Sequence, residues 1–260
     1  MKTVYDFVNI DVSANKDYIN TLKTKGAAAV RCEAFLSRDN EEVKGKLMAF
    51  AENVKSVKLD WNLKFDISKL LMGVLQETGP DQRMFVRKSE RSLFEETHKI
   101  IESLAGVVAP QYVELNTEAF EVMESIKFSF EEQTRMMNAV INGVKSVAPQ
   151  CKIVLATSKA TDNEMAKKWY NRFQVSGGKP FDIISIKYGM DAAELYDLSC
   201  NMGDLSRRFE AEIIVDASGV DGQTDITFDD LKSAVSMVSL DRGLGIVYSE
   251  VAFGVVEKVA

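Results

Sequence analysis

Five carboxylates stand at or near the ends of apolar runs in this chain: Asp11 after "TVYDFVNI", Glu33 in "AAAVRCEAF", Glu118 after "QYVELN", Asp216 in "EIIVDAS" and Glu250 in "LGIVYSE". Asn62, Thr157 and Tyr188 hold the equivalent places after "SVKLDW", in "KIVLAT" and in "DIISIKY". A carboxylate in a cleft does acid, base or nucleophilic work when a second group beside it holds a different protonation state. Acids at strand ends also cap the helix that follows, so each one taken singly has a structural reading too. The stretch "APQYVELNTEAF" poses the question most sharply. Glu118 closes a short apolar run there, and any partner must come from elsewhere in the chain.

Other chemistries find little support. His98 is the sole histidine and lies in "EETHKIIE", a partly exposed helical position, which leaves neither a second histidine for a Ser-His-Asp triad nor a His-rich metal site. Cys32, Cys151 and Cys200 are odd in number and form no C-x-x-C, so buried reduced thiols are expected rather than a disulfide framework or zinc. "GPDQ" and "SGG" are turn signals, since no phosphate-binding glycine pattern follows a strand. "DASGVDGQTD", residues 216–225, lacks the spacing and bidentate glutamate of an EF-hand and reads as a flexible loop. The expectation is no metal and no cofactor. The "RMM" at 135–137 and Trp169 read as helical core. A net charge of −7 argues against nucleic acid or an anionic membrane as partner, and neutral substrates stay open. The opening "MKTVYDFVNIDV" alternates apolar and polar residues without the continuous apolar core of a secretory signal, so a cytoplasmic location is expected.

The elements that must position these residues recur along the chain. Eight apolar runs read as strands, the third as "SVKLDW". Seven stretches between them carry apolar residues three and four apart, as amphipathic helices do. Gly26 ends the first helix, while "TDNE" from Thr161 to Glu164 and "TFDD" from Thr227 to Asp230 read as capping boxes of the fifth and seventh. Strands without clean alternation, wrapped by helices, need both faces covered, which means a parallel sheet. Eight such units over residues 1–260 fit a single (β/α)8 TIM barrel, with a doubly wound open sheet as the alternative. "VAFGVVEKVA" is too short for a full last helix. In a barrel, function sits at the carboxyl ends of the strands.

Several segments, in order, resemble glycoside hydrolase family 53, the arabinogalactan endo-β-1,4-galactanases. "NIDVS" is similar to the family's "GADVS", "LKTKGAAAVRCEAF" to "LKDNGVNYVRLRVW", and "PQYVELNTE" to "PDMVQVGNE" without a gap. "FDIISIKY" is similar to "FDVIGLSYY", "IIVDAS" to "VVVETAY" and "GLGIVYSEVAF" to "GLGVFYWEPAW". The resemblance implies a retaining (β/α)8 glycosidase in which Glu118 is the acid/base and Asp216 the nucleophile. Arg31, Asn62, Thr117, Tyr188 and Glu250 would then bind a β-linked oligosaccharide.

The sequence departs from that pattern at the implied site. Asp216 is one methylene shorter than the family's glutamate, which withdraws its carboxylate by about 1.5 Å. Thr117 stands for asparagine, Asn62 for histidine, Glu33 for a second arginine and Ser249 for a tryptophan that would stack on sugar. Two readings therefore stay open at this point. One is an active retaining glycosidase on a galactan-like glycan; the other is an inactive or repurposed barrel serving as a binding or structural component of a larger assembly.

Overall fold

The structure, a computed structural model, describes residues 3–35, 40–66, 83–116, 128–157, 162–220 and 224–254. Eight strands alternate with helices: β1 (Tyr5–Asn9), α1 (Lys16–Thr24), β2 (Ala29–Phe35), α2 (Glu41–Val57), β3 (Asp60–Asp66), α3 (Arg83–Val108), β4 (Tyr112–Asn116), α4 (Phe130–Val147), β5 (Lys152–Thr157), α5 (Asn163–Val175), β6 (Ile183–Lys187), α6 (Leu195–Phe209), β7 (Glu212–Asp216), α7 (Phe228–Ser236) and β8 (Gly243–Tyr248). Every strand pairs in parallel with the next. β8 returns to β1 through Tyr5↔Gly245 and Phe7↔Val247, so the sheet closes as a (β/α)8 barrel and the open-sheet alternative falls.

Local chemistry sets the helix starts. Asn15 opens α1 by accepting a hydrogen bond from Tyr18 N at 2.9 Å. Ser129 and Glu132 form a reciprocal capping box on α4, and Thr227 and Asp230 form the expected one on α7. On α5 the cap is Asp162, whose carboxylate accepts from Met165 N at 3.0 Å. The expected cap Thr161 lies outside the described residues. Trp169 on α5 stacks on Phe173 at 5.5 Å in the helix-facing core, and Met136 and Met137 are buried, as their spacing implies. His98 on α3 is half-buried with Nδ1 3.1 Å from the Ala139 carbonyl oxygen of α4. Of the thiols, Cys32 and Cys151 are buried but Cys200 is exposed on α6, whose inward stripe is Leu198, Met202 and Leu205.

The third strand begins later than "SVKLDW" suggests. The apolar stripe Leu47, Phe50, Val54, Val57 carries α2 through Val57, and Lys58 then turns left-handed with φ of 58°. Only after that turn does β3 start, so Asn62 is its third residue rather than its end.

Two apolar layers follow from strand alternation. Residues such as Val30, Leu63, Val113, Ile184 and Val215 face the helices. Phe7, Ala29, Tyr112, Val154, Ile183, Ile214, Leu244 and Val247 form a separate buried cluster inside the barrel. Two residues further along these inward rows, Phe7 gives way to Asn9, Ala29 to Arg31, Tyr112 to Glu114, Ile183 to Ser185 and Ile214 to Asp216. The barrel is therefore filled with hydrocarbon in its amino-terminal half and with polar groups towards its carboxyl end, where a (β/α)8 fold carries function.

Candidate active site

Asp216 ends β7 and points into this polar layer. Arg31 of β2 meets it as a fork, with Nη1 donating to Oδ2 at 2.7 Å and Nη2 to Oδ1 at 3.2 Å. Ser218 adds two donors to Oδ1, its backbone N–H at 3.0 Å and its hydroxyl at 2.6 Å. Among the described residues Oδ1 thus accepts three hydrogen bonds and Oδ2 one. Burial opposes ionisation of Asp216, but the Arg31 charge and the hydrogen bonds from Arg31 and Ser218 prevail and hold its carboxyl below the usual aspartate range. The Asp216 side chain keeps 14% of its surface exposed, against 2% for Arg31.

Arg31 is fixed on all sides. Its Nε donates to Asn9 Oδ1 of β1 at 2.9 Å, and Nη2 also donates to Ser218 Oγ at 2.7 Å. Nη1 faces Glu114 of β4 at 3.4 Å, and Glu114 Oε2 accepts from Asn62 Nδ2 of β3 at 2.7 Å. Burial disfavours the guanidinium charge, yet the negative charges of Glu114 and Asp216 outweigh it, so Arg31 is cationic throughout any usable pH range. Just above, Glu33 pairs with Lys64 of β3 at 3.0 Å. That pairing answers the charge reversal at position 33: the carboxylate is neutralised by its neighbouring strand.

The structure sorts the residues singled out in the sequence. Arg31, Asn62 and Asp216 converge in one network, with Asn62 placed inside the barrel beneath its mouth. Tyr188 does not join them. It follows Ile184 and Ile186 on the outer face of β6, is buried among the helices, and donates its hydroxyl to the Asp191 carbonyl. Glu250 follows Ile246 and Tyr248 on the helix-facing side of β8 and accepts from Tyr18 of α1 at 2.6 Å, which ties α1 to the end of β8. Asp11 accepts from Ser13 N at 2.8 Å in the turn before α1. Thr157 ends β5. Glu118 and Thr117 lie outside the described residues. Ser249 is buried and its hydroxyl donates to the Val220 carbonyl at 3.3 Å, tying the end of β8 to the loop after β7.

Glu114, Asn9 and Ser218 are the participants that strand-end reading overlooks. The signal for Glu114 was a single acid between apolar neighbours in "YVELN". In a strand covered on both faces, such a residue must point into the barrel and find a partner.

No helix among the described residues is long and apolar enough to cross a membrane. The barrel superposes on the virulence factor SghA from Agrobacterium tumefaciens with a TM-score of 0.59 at 10% identity, over 90% of this chain and 76% of that one. It superposes on a GH5-4 broad specificity endoglucanase from an uncultured bacterium with a TM-score of 0.59 at 11% identity, over 91% of this chain and 78% of that one. At such identities the likeness is one of fold. No curated protein matches the sequence. The sequence profile of glycosyl hydrolase family 53 matches residues 83–259, which include Glu114, Asp216 and Ser218 of the network, and a match over more than half of its length means that the chain belongs to that family.

Proposed function

We propose that this barrel hydrolyses a β-linked, galactan-like glycan with retention, with Asp216 as nucleophile and Glu118 as acid/base. The observation that carries the reading is the unequal loading of the Asp216 carboxylate. A carboxylate offers about four lone-pair positions. Among the described residues three donors crowd Oδ1, whereas Oδ2 accepts one, from Arg31, and so has a lone pair for an anomeric carbon. The same donors hold the group ionised, as a nucleophile requires.

In the first step Asp216 Oδ2 forms a bond to the anomeric carbon while the glycosidic C–O bond breaks, and the Glu118 carboxylic acid gives its proton to the departing oxygen. In the second, water attacks the same carbon, Glu118 takes the water's proton, and the Asp216 ester bond breaks to restore both groups. Membership of family 53 supports these roles, as does the position of Asp216 at the carboxyl end of a barrel strand.

A second reading, a barrel that binds glycan without cleaving it, is favoured by the depth at which Arg31 holds a carboxylate one methylene shorter than glutamate. Hydrolysis of a panel of β-linked oligosaccharides, galactan and arabinogalactan included, separates the two. On the hydrolytic reading Glu118→Gln and Asp216→Asn each lower turnover by on the order of 10³-fold or more while glycan binding persists. Absence of turnover by the wild type on every member, with binding retained, selects the second reading.

A further inference from the structure

The guanidinium of Arg31 has five N–H donors in a rigid plane. Four are taken by Asn9 Oδ1, Asp216 Oδ1, Asp216 Oδ2 and Ser218 Oγ. The fifth, on Nη1, faces Glu114, whose Oε1 and Oε2 stand 3.4 and 3.5 Å away. Glu114 has no exposed surface and takes no part in the steps above.

Glu114 is itself held from the far side. Asn62 turns its amide so that Nδ2 reaches Glu114 Oε2 at 2.7 Å, although its own Oδ1, fully buried, then has no partner among the described residues. An orphaned buried carbonyl is unfavourable by about 1–3 kcal/mol. The amide accepts that penalty in order to donate to the carboxyl, so the position of Glu114 is specified. A line of contacts results: Asn62 to Glu114, Glu114 to the outer N–H of Arg31, and Arg31 to both oxygens of Asp216.

We propose that Glu114 is a positioning residue for Asp216, acting through Arg31: it takes the fifth guanidinium N–H, fixes the plane of the fork, and so sets where the free lone pair of Asp216 Oδ2 points. The catalytic consequence rests on the hydrolytic reading of the site, while the positioning itself does not. Without Glu114 one N–H of a buried cation is unpaired and the plane loses the contact that holds it on the Glu114 side. A shift of roughly 1 Å at a reacting atom lowers rate by on the order of 10²-fold.

The test compares Glu114→Ala with Glu114→Gln, because glutamine keeps an acceptor oxygen where alanine keeps none. In nitrogen-15 spectra of the full chain, with Arg31→Lys to assign the signals, the wild type and Glu114→Gln should show slowly rotating, separately resolved Arg31 Nη groups. In Glu114→Ala these should merge. In hydrolysis of a β-linked substrate, Glu114→Ala should lower kcat by about 10²-fold with KM within about twofold, and Glu114→Gln should recover all but about tenfold of it. Asn62→Ala, which releases only the far anchor of Glu114, should shift both readouts in the same direction and serves if Glu114→Ala does not fold. Unchanged Arg31 signals in Glu114→Ala, or equal losses of kcat in the alanine and glutamine variants, would overturn the proposal. If the wild type hydrolyses nothing, the nitrogen-15 comparison alone decides it, and the failure then belongs to the hydrolytic reading.

Discussion

Asp216 and Arg31 show how a barrel can hold an ionised carboxylate out of water. Desolvation works against both charges, and the bidentate pair with its added donors reverses that for each. Because the Asp216 pKa is lowered on folding, its contribution to stability is fully present above the unfolded-state value and is lost as pH falls through the folded one. The unfolding free energies of wild type and Asp216→Asn, measured in urea, should thus differ by a constant amount from neutral pH down to about pH 5. The gap should close below about pH 4. A gap that widened on acidification would mean that the carboxyl is protonated at neutral pH. Removing the cation is more severe. Arg31→Met leaves Glu114 and Asp216 buried without their cation and should cost about 3–5 kcal/mol at neutral pH, read from the same urea curves.

Among the elements, parity decides which residues meet. Strand existence was legible in the apolar runs, whereas a shared site for Arg31 and Asp216 followed only from the family resemblance, and their direct pairing emerges from the structure. Tyr188 and Glu250 were not legible as helix-facing residues from their positions alone. Each sits where a strand ends, but only the alternation fixed by Ile186 and Tyr248 shows them to be on the outer side. Asn62 was misplaced because the α2 stripe continues through Val57 and moves the start of β3 down the chain. The junction of β8 with α7 gives a sharp test of element packing. A Cβ on Gly243 would come within 1.9 Å of the Val235 carbonyl oxygen, a backbone atom that cannot rotate away. Gly243→Ala should destabilise the fold by about 1–3 kcal/mol. Thr227→Ala, which removes the cap of α7, should cost about 1 kcal/mol. Thermal and urea unfolding measure both, and a neutral Gly243→Ala would show that this junction is looser than described.

At the scale of the whole molecule, closure is what makes a site from these parts. Asn9, Arg31, Asn62, Glu114 and Asp216 come from β1, β2, β3, β4 and β7, and the β1–β8 ladder brings the seventh strand within reach of the second. The apolar plug beneath, from Phe7 to Val247, closes the polar layer on its amino-terminal side. As the proposed nucleophile, Asp216 forms a covalent bond to sugar. The most direct test is to incubate the protein with 2-deoxy-2-fluoro β-glycosides carrying a good leaving group, in galactose and glucose forms, and to weigh the intact chain. A mass gain of one fluoroglycosyl unit is expected, mapped by peptide analysis to Asp216 and absent from Asp216→Asn. Glycoside cleavage with the adduct on another carboxylate, or no adduct and no leaving group released by either sugar, would contradict it.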